Sequence, residues 1–142
     1  MEGLEKIVVD ASVVVKWFNR EEFTEEALLL RQRIRQGTAT PFVPEIMIFE
    51  VANSLRYNPD FGTLDVEEAV QSLRDMQFPT MPLNDEMWRR AVEIAFERGI
   101  TIYDSAYVAM AECMDAKLYT GDAKLAEKTK DMERVVHIAH YR

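Results

Sequence analysis

The run Ile7-Val8-Val9 followed directly by Asp10 constrains this chain more than any other feature. Consecutive strand formers with no polar residue among them suit a parallel strand covered on both faces, whereas a strand with one wet face alternates apolar and polar residues. In open α/β sheets the ligand sits beyond the carboxyl ends of the strands, so an acid at the tip of a buried strand stands at the mouth of a site. Burying that carboxylate alone is costly. A metal ion, a basic side chain or a capping role for the next helix would each compensate.

The pattern that follows alternates helical and extended segments. Ser12 is placed to cap a short helix over residues 13–18, and a second helix opens at Thr24-Glu25-Glu26 and ends at Gly37. The strand Ala39 to Val43 leads to Pro44, read as the first residue of a helix. Ile46, Met47, Phe49, Val51, Ala52 and Leu55 cover more than half the circumference of that helix, which marks it as a core element. Glu50 stands inside it and is read as pointing inward. After the loop at Asn58-Pro59 and Gly62, Asp65-Val66-Glu67-Glu68 has the composition of a capping box. The helix behind it carries a spaced apolar stripe to Met76, for packing within the domain or against a second copy.

Pro79 and Pro82 bracket a short edge strand, and Asn84 caps a helix that ends at Gly99. Asp104 then heads a helix of small residues. Lys117 to Thr120 is a strand closed by Gly121-Asp122, which repeats the placement of Asp10, and Val135 to Ile138 is the last strand. The alternation predicts an α/β fold, a parallel central sheet flanked by helices on both faces in three α/β/α layers, as one domain over residues 1–142.

Bulk properties narrow the chemistry. The lone Cys113 excludes an intramolecular disulfide, and two histidines, His137 and His140, give no zinc-ligand spacing. No stretch approaches the roughly 18 uninterrupted apolar residues of a membrane span, so the expected location is cytoplasmic, away from membranes. A net charge of -8 argues against the usual basic nucleic-acid binder. It leaves room for a site in which acids are gathered around a cation. Asp10, Glu50, Asp104 and Asp122 can all meet at one sheet edge. Mg²⁺ or Mn²⁺ matches an all-oxygen site and suits phosphodiester hydrolysis.

The chain resembles the PIN-domain family and, within it, the VapC-type ribonuclease toxins. The resemblance rests on Val8-Val9-Asp10-Ala11-Ser12, on Pro44-Glu45 followed by Glu50-Val51-Ala52-Asn53, on Tyr103-Asp104-Ser105-Ala106-Tyr107, and on Tyr119-Thr120-Gly121-Asp122, in the family's order and across nearly the whole chain. It implies metal-dependent cleavage of RNA, with the divalent ion held by Asp10, Glu50, Asp104 and Asp122. It also implies that Ser12 and Thr120 orient acids or waters, that Asn53 supports Glu50, and that the partners are an RNA substrate, a cognate antitoxin protein and a second copy in a homodimer. The alternative is a noncatalytic or RNA-processing PIN module that works mainly by binding a protein.

Each residue has a plainer role beside this one. Asp104 and Asp122 alone read as helix caps, Ser12 and Thr120 as caps or strand ends, and Lys16, Arg20 and Arg56 as solvated charges. Trp17, Phe18 and Trp88 read as core or interface before stacking surfaces for bases. A haloacid-dehalogenase-like phosphatase would need an acid where Ser12 stands, and a phosphorelay receiver would need adjacent acids after the first strand.

Overall fold

The buried run at Ile7 becomes the middle strand of a five-stranded, wholly parallel sheet in a computed structural model that describes residues 5–142. The strands are β1 (Glu5–Val9), β2 (Ala39–Pro44), β3 (Thr80–Met81), β4 (Lys117–Thr120) and β5 (Val135–His137), in the order β3-β2-β1-β4-β5. Ile7, Val8 and Val9 have no exposed surface, and β1 registers Val8 against Phe42 on one side and Leu118 on the other. Helices cover both faces, giving the three-layer α/β/α fold expected from the alternation. The chain winds outward from β1 through β2 to β3, then returns to lay β4 and β5 on the opposite side. The crevice between the carboxyl ends of β1 and β4 is therefore the topological switch point, where open α/β sheets bind ligands.

The helices are α1 (Ala11–Val14), α2 (Thr24–Arg35), α3 (Ile46–Arg56), α4 (Thr63–Asp75), α5 (Asp85–Arg98), α6 (Ile102–Cys113) and α7 (Ala123–Lys128), with 3₁₀ turns at Val15–Trp17 and Ile138–His140. Several ends follow local chemistry. Asn84 Oδ1 accepts from the Met87 N–H at 2.9 Å and Gly99, at φ 65°, closes α5 in the left-handed conformation that costs glycine little. Gly37, at φ 78°, does the same after α2.

Other ends depart from expectation because distant partners decide them. Ser12 does not cap α1. Asp10 occupies that position without a side-chain capping bond, since the Ser12 hydroxyl is engaged with Asp10 and with Gly121 from across the switch point. Pro44 is the last residue of β2 instead of the first of α3; it registers with Met81, and the Glu45 N–H bonds to the Met81 carbonyl. Asp65 is the third residue of α4, reaching back to the Gly62 N–H at 2.7 Å.

Helix α3 is also less buried than its apolar content suggests. It buries Met47, Val51 and Leu55, four apart along one stripe, while Phe49 is 76% exposed. Helix α6 is the opposite case: Ser105 through Ala111 are all buried, with α5 packed along it. Among the described residues no helix is long and apolar enough to cross a membrane.

Candidate active site

Asp10 follows β1 directly and is buried, held by two hydroxyl groups. Ser12 Oγ donates to its Oδ2 at 2.8 Å and Thr120 Oγ1, at the end of β4, donates to the same oxygen at 2.7 Å. Each hydroxyl has one proton, and both protons are spent on the carboxylate. Their remaining capacity is as acceptors: Ser12 Oγ takes the Gly121 N–H at 2.8 Å and Thr120 Oγ1 takes the Asp122 N–H at 3.0 Å. The two hydroxyls thereby lace the turn after β1 to the turn after β4, and neither occupies Asp10 Oδ1.

Asp122 caps α7, its Oδ1 accepting from the Lys124 and Leu125 N–H groups at 2.9 and 3.2 Å. The plain capping role is thus real, and it fixes the carboxylate on the switch-point side of the turn. Asp104 lies in the first turn of α6, where Thr101 is the cap and accepts from the Asp104 N–H at 3.0 Å. Glu50 reaches from α3 to Tyr107, whose hydroxyl donates to Oε1 at 2.6 Å. Tyr107 is fully buried on α6, one turn after Asp104. A buried phenol needs a polar partner, which is the signal in the sequence that could have assigned it. Its location ties the two helices that carry Glu50 and Asp104.

The electrostatics show the acids acting on one another. Burial raises the Asp10 carboxyl above its ordinary value, hydrogen bonds from Thr120 and Ser12 offset part of that, and the charge of Asp122 adds to it. Glu50 is raised by burial, with Asp10 and Asp104 contributing, against the lowering bond from Tyr107. Asp104 is pushed up to about 6 by burial and by the charges of Asp10 and Asp122. Burial is the first cause of all three shifts, and mutual repulsion among the carboxylates adds to it.

Two other groups border the acids. Lys16 was expected to be solvated, yet its side chain is buried, its Nζ donates to Glu21 at 3.1 Å, and its stem crosses Gly121. A Cβ on Gly121 would stand 2.8 Å from Lys16 Cε and 3.1 Å from the Ser12 carbonyl oxygen, so glycine is required by close approach. His137, on β5, accepts the Ala139 N–H on Nδ1, and burial lowers its pKa. Arg20 pairs with Glu25 at the surface and Arg56 lies over Tyr57, both as exposed charges.

Asn53 does not support Glu50. It is exposed in a groove of about 1080 Å³ between α3 and α4, beside Phe49, Arg56 and Phe61, and the bond to Glu50 comes from Tyr107. Asn53 stands three residues beyond Glu50, about 60° away around the helix, and lines the groove shared with α4.

The donor set fits a divalent cation that keeps part of its water shell. Among the described residues, no group of three or more His, Cys, Asp or Glu side chains is arranged to hold a metal ion by itself. Mg²⁺ dehydrates reluctantly and is commonly held by one or two carboxylates with water completing its shell. Asp10, Glu50, Asp104 and Asp122, coupled in charge but not closed into a cage, match that requirement.

A sequence model of the PIN domain matches residues 7–131. Ribonuclease VapC3 of Pyrobaculum aerophilum is 34% identical over 127 residues, covering 87% of this chain and 94% of that protein. PAE2754 from the same organism superposes with a TM-score of 0.65 at 24% identity, covering 97% of this chain and 92% of that one. A toxin-antitoxin complex from Klebsiella pneumoniae superposes with a TM-score of 0.69 at 15% identity, covering 93% and 97% of the two chains.

Proposed function

This chain belongs to the PIN domain family, and from that premise we propose that it is a ribonuclease, the toxin of a type II toxin-antitoxin pair, hydrolysing RNA phosphodiester bonds with Mg²⁺ or Mn²⁺. The observation that carries the reading is the charge coupling among Asp10, Glu50, Asp104 and Asp122, with Asp10 held by hydroxyls from both flanking turns. A relative named as a ribonuclease, matched over most of both chains, supports the reaction class.

A divalent cation bound there would acidify water and stabilise negative charge on phosphoryl oxygens. The chain's own contribution is positioning. Ser12 and Thr120 hold Asp10 in one rotamer, Tyr107 holds Glu50, and the α7 cap holds Asp122. Asp104, in the first turn of α6, would hold the ion together with Asp10. No side chain is needed as a nucleophile.

The partners in this reading are an RNA substrate, an antitoxin whose apolar segment and basic side chain quiet the acids, and a second copy of the chain. The toxin-antitoxin complex that shares the fold supports the antitoxin. The test is cleavage of a mixed set of structured and single-stranded RNAs by purified protein with Mn²⁺, Mg²⁺ or EDTA, beside Asp10→Asn. Cleavage that needs metal and vanishes in the variant is the expected result. Metal-dependent cleavage retained by Asp10→Asn would overturn the assignment.

A further inference from the structure

A second, smaller cavity opens on the same sheet edge as the acids, at its β2–β3 end. It measures about 260 Å³ and is walled by Ile46 from the first turn of α3, Met81 and Leu83 around the end of β3, Trp88 from α5 and Tyr103 from α6, with Glu45 on its wall. Trp88 and Tyr103 are 51% and 58% exposed, and among the described residues neither ring pairs with another aromatic. Large aromatic faces left half in water beside a carboxylate are an unused recognition surface.

The cavity adjoins the acids through shared helices. On α6, Tyr103 and Ala106 stand three apart and line the cavity, while Asp104 and Tyr107, also three apart, make the neighbouring stripe that meets Glu50. Ile46, in the first turn of α3, opens into the cavity one turn before Glu50, and Glu45 precedes it at the helix cap. A strand of RNA whose phosphate lies at the acids therefore has an adjacent nucleotide within reach of this wall.

Charge and size decide the occupant. With a net charge of -8 and acids lining the site, phosphate contacts add little affinity, so an RNA held here must gain it from its bases. The volume suits one planar ring system and is too small for a helix face. Single-stranded RNA is read by stacking splayed bases on aromatic side chains and bonding their edges.

We propose that this cavity binds one unstacked nucleobase of the RNA substrate, stacked on Tyr103 and Trp88, with the Glu45 carboxylate accepting from the base's N–H donors. The proposal rests on the ribonuclease reading and adds a specificity site to it. Guanine, which presents two adjacent N–H donors on its Watson–Crick edge, satisfies a carboxylate better than uracil, which presents one.

The full chain in EDTA is titrated with end-labelled UUUGUUU and UUUUUUU, followed by fluorescence anisotropy, with cleavage in Mn²⁺ measured in parallel. The expected result is about tenfold tighter binding of the guanine-containing strand, lost in Glu45→Gln and retained in Tyr103→Phe, with Tyr103→Ala weakening both strands about tenfold. Glu45→Gln and Tyr103→Phe are nearly isosteric surface changes, so misfolding does not obscure the outcome. Unchanged affinity in Tyr103→Ala and Glu45→Gln, with cleavage intact, overturns the base site and leaves the ribonuclease standing. A Trp88→Ala protein that loses self-association in sedimentation while binding RNA as before makes the cavity a chain-to-chain contact and also overturns it. Failure of the unsubstituted chain to bind or cleave any RNA removes the ribonuclease reading and the base site together.

Discussion

Thr120 Oγ1 donates a 2.7 Å hydrogen bond to Asp10 Oδ2 across 110 residues of chain, in the interior. Thr120 Oγ1 also accepts the Asp122 N–H, so one methyl-for-hydroxyl exchange, Thr120→Val, removes one of the two hydroxyl bonds to buried Asp10 and leaves the partly buried Asp122 N–H without its acceptor. The expected cost is about 1–3 kcal/mol of stability, read by urea denaturation in EDTA, with Thr120→Ser recovering most of it. Equal midpoints for Val and Ser at this position would mean that the hydroxyl bond contributes nothing.

Tyr107→Phe keeps the buried ring and removes only the hydroxyl that holds Glu50 at 2.6 Å. Glu50 then swings free and binds protons more readily, because the lowering bond is gone. RNA cleavage is expected to fall about tenfold, the kinetic equivalent of one hydrogen bond, with an unchanged circular dichroism spectrum.

Asp104 contributes a pH dependence of known sign. Its folded-state value of about 6 lies above the ordinary 3.8, so the folded chain binds more protons than the unfolded one in that window. Metal-free stability therefore falls as pH rises from about 4 to about 6 and levels off above it. Asp104→Asn flattens this slope and raises Tm at pH 7.5 in EDTA, while losing the upward Tm shift that Mn²⁺ is expected to give the unsubstituted protein. A variant whose Tm tracks pH as steeply as its parent would count against the assignment of this slope to Asp104.

Gly121→Ala forces a methyl to 2.8 Å from Lys16 Cε and 3.1 Å from the Ser12 carbonyl. The lysine stem can give way, but the backbone oxygen cannot, and the Gly121 N–H bond to Ser12 is strained with it. A loss of about 1–3 kcal/mol is expected, together with weaker Mn²⁺ binding by calorimetry, because the displaced turn carries Asp122.

What the sequence shows of this fold and what it hides divide along the range of the deciding contacts. The central strand, the caps at Asn84, Gly37 and Gly99, and the acids at strand ends are legible because each is set by a few neighbouring residues. The role of Ser12 is not, because its partner Gly121 lies 109 positions away. Pro44 reads as a helix start until Met81 pairs with it, and Phe49 reads as core until α4 leaves its side of α3 open. Lys16 reads as a surface charge because nothing nearby in sequence announces that Gly121 will lie beneath it. The acids are visible one by one, whereas their coupling depends on a sheet order that no local pattern contains.

That sheet order has a consequence for synthesis. Because β4 is inserted beside β1 only after β2 and β3 have been laid on the other side, the crevice has one wall until the last quarter of the chain arrives. A nascent polypeptide that has cleared the ribosome as far as α5 carries Asp10 and Glu50 but neither Asp104, Thr120 nor Asp122. Long-range strand pairing of this kind forms late. The order of translation thus keeps the acidic cluster incomplete while the chain is still being made.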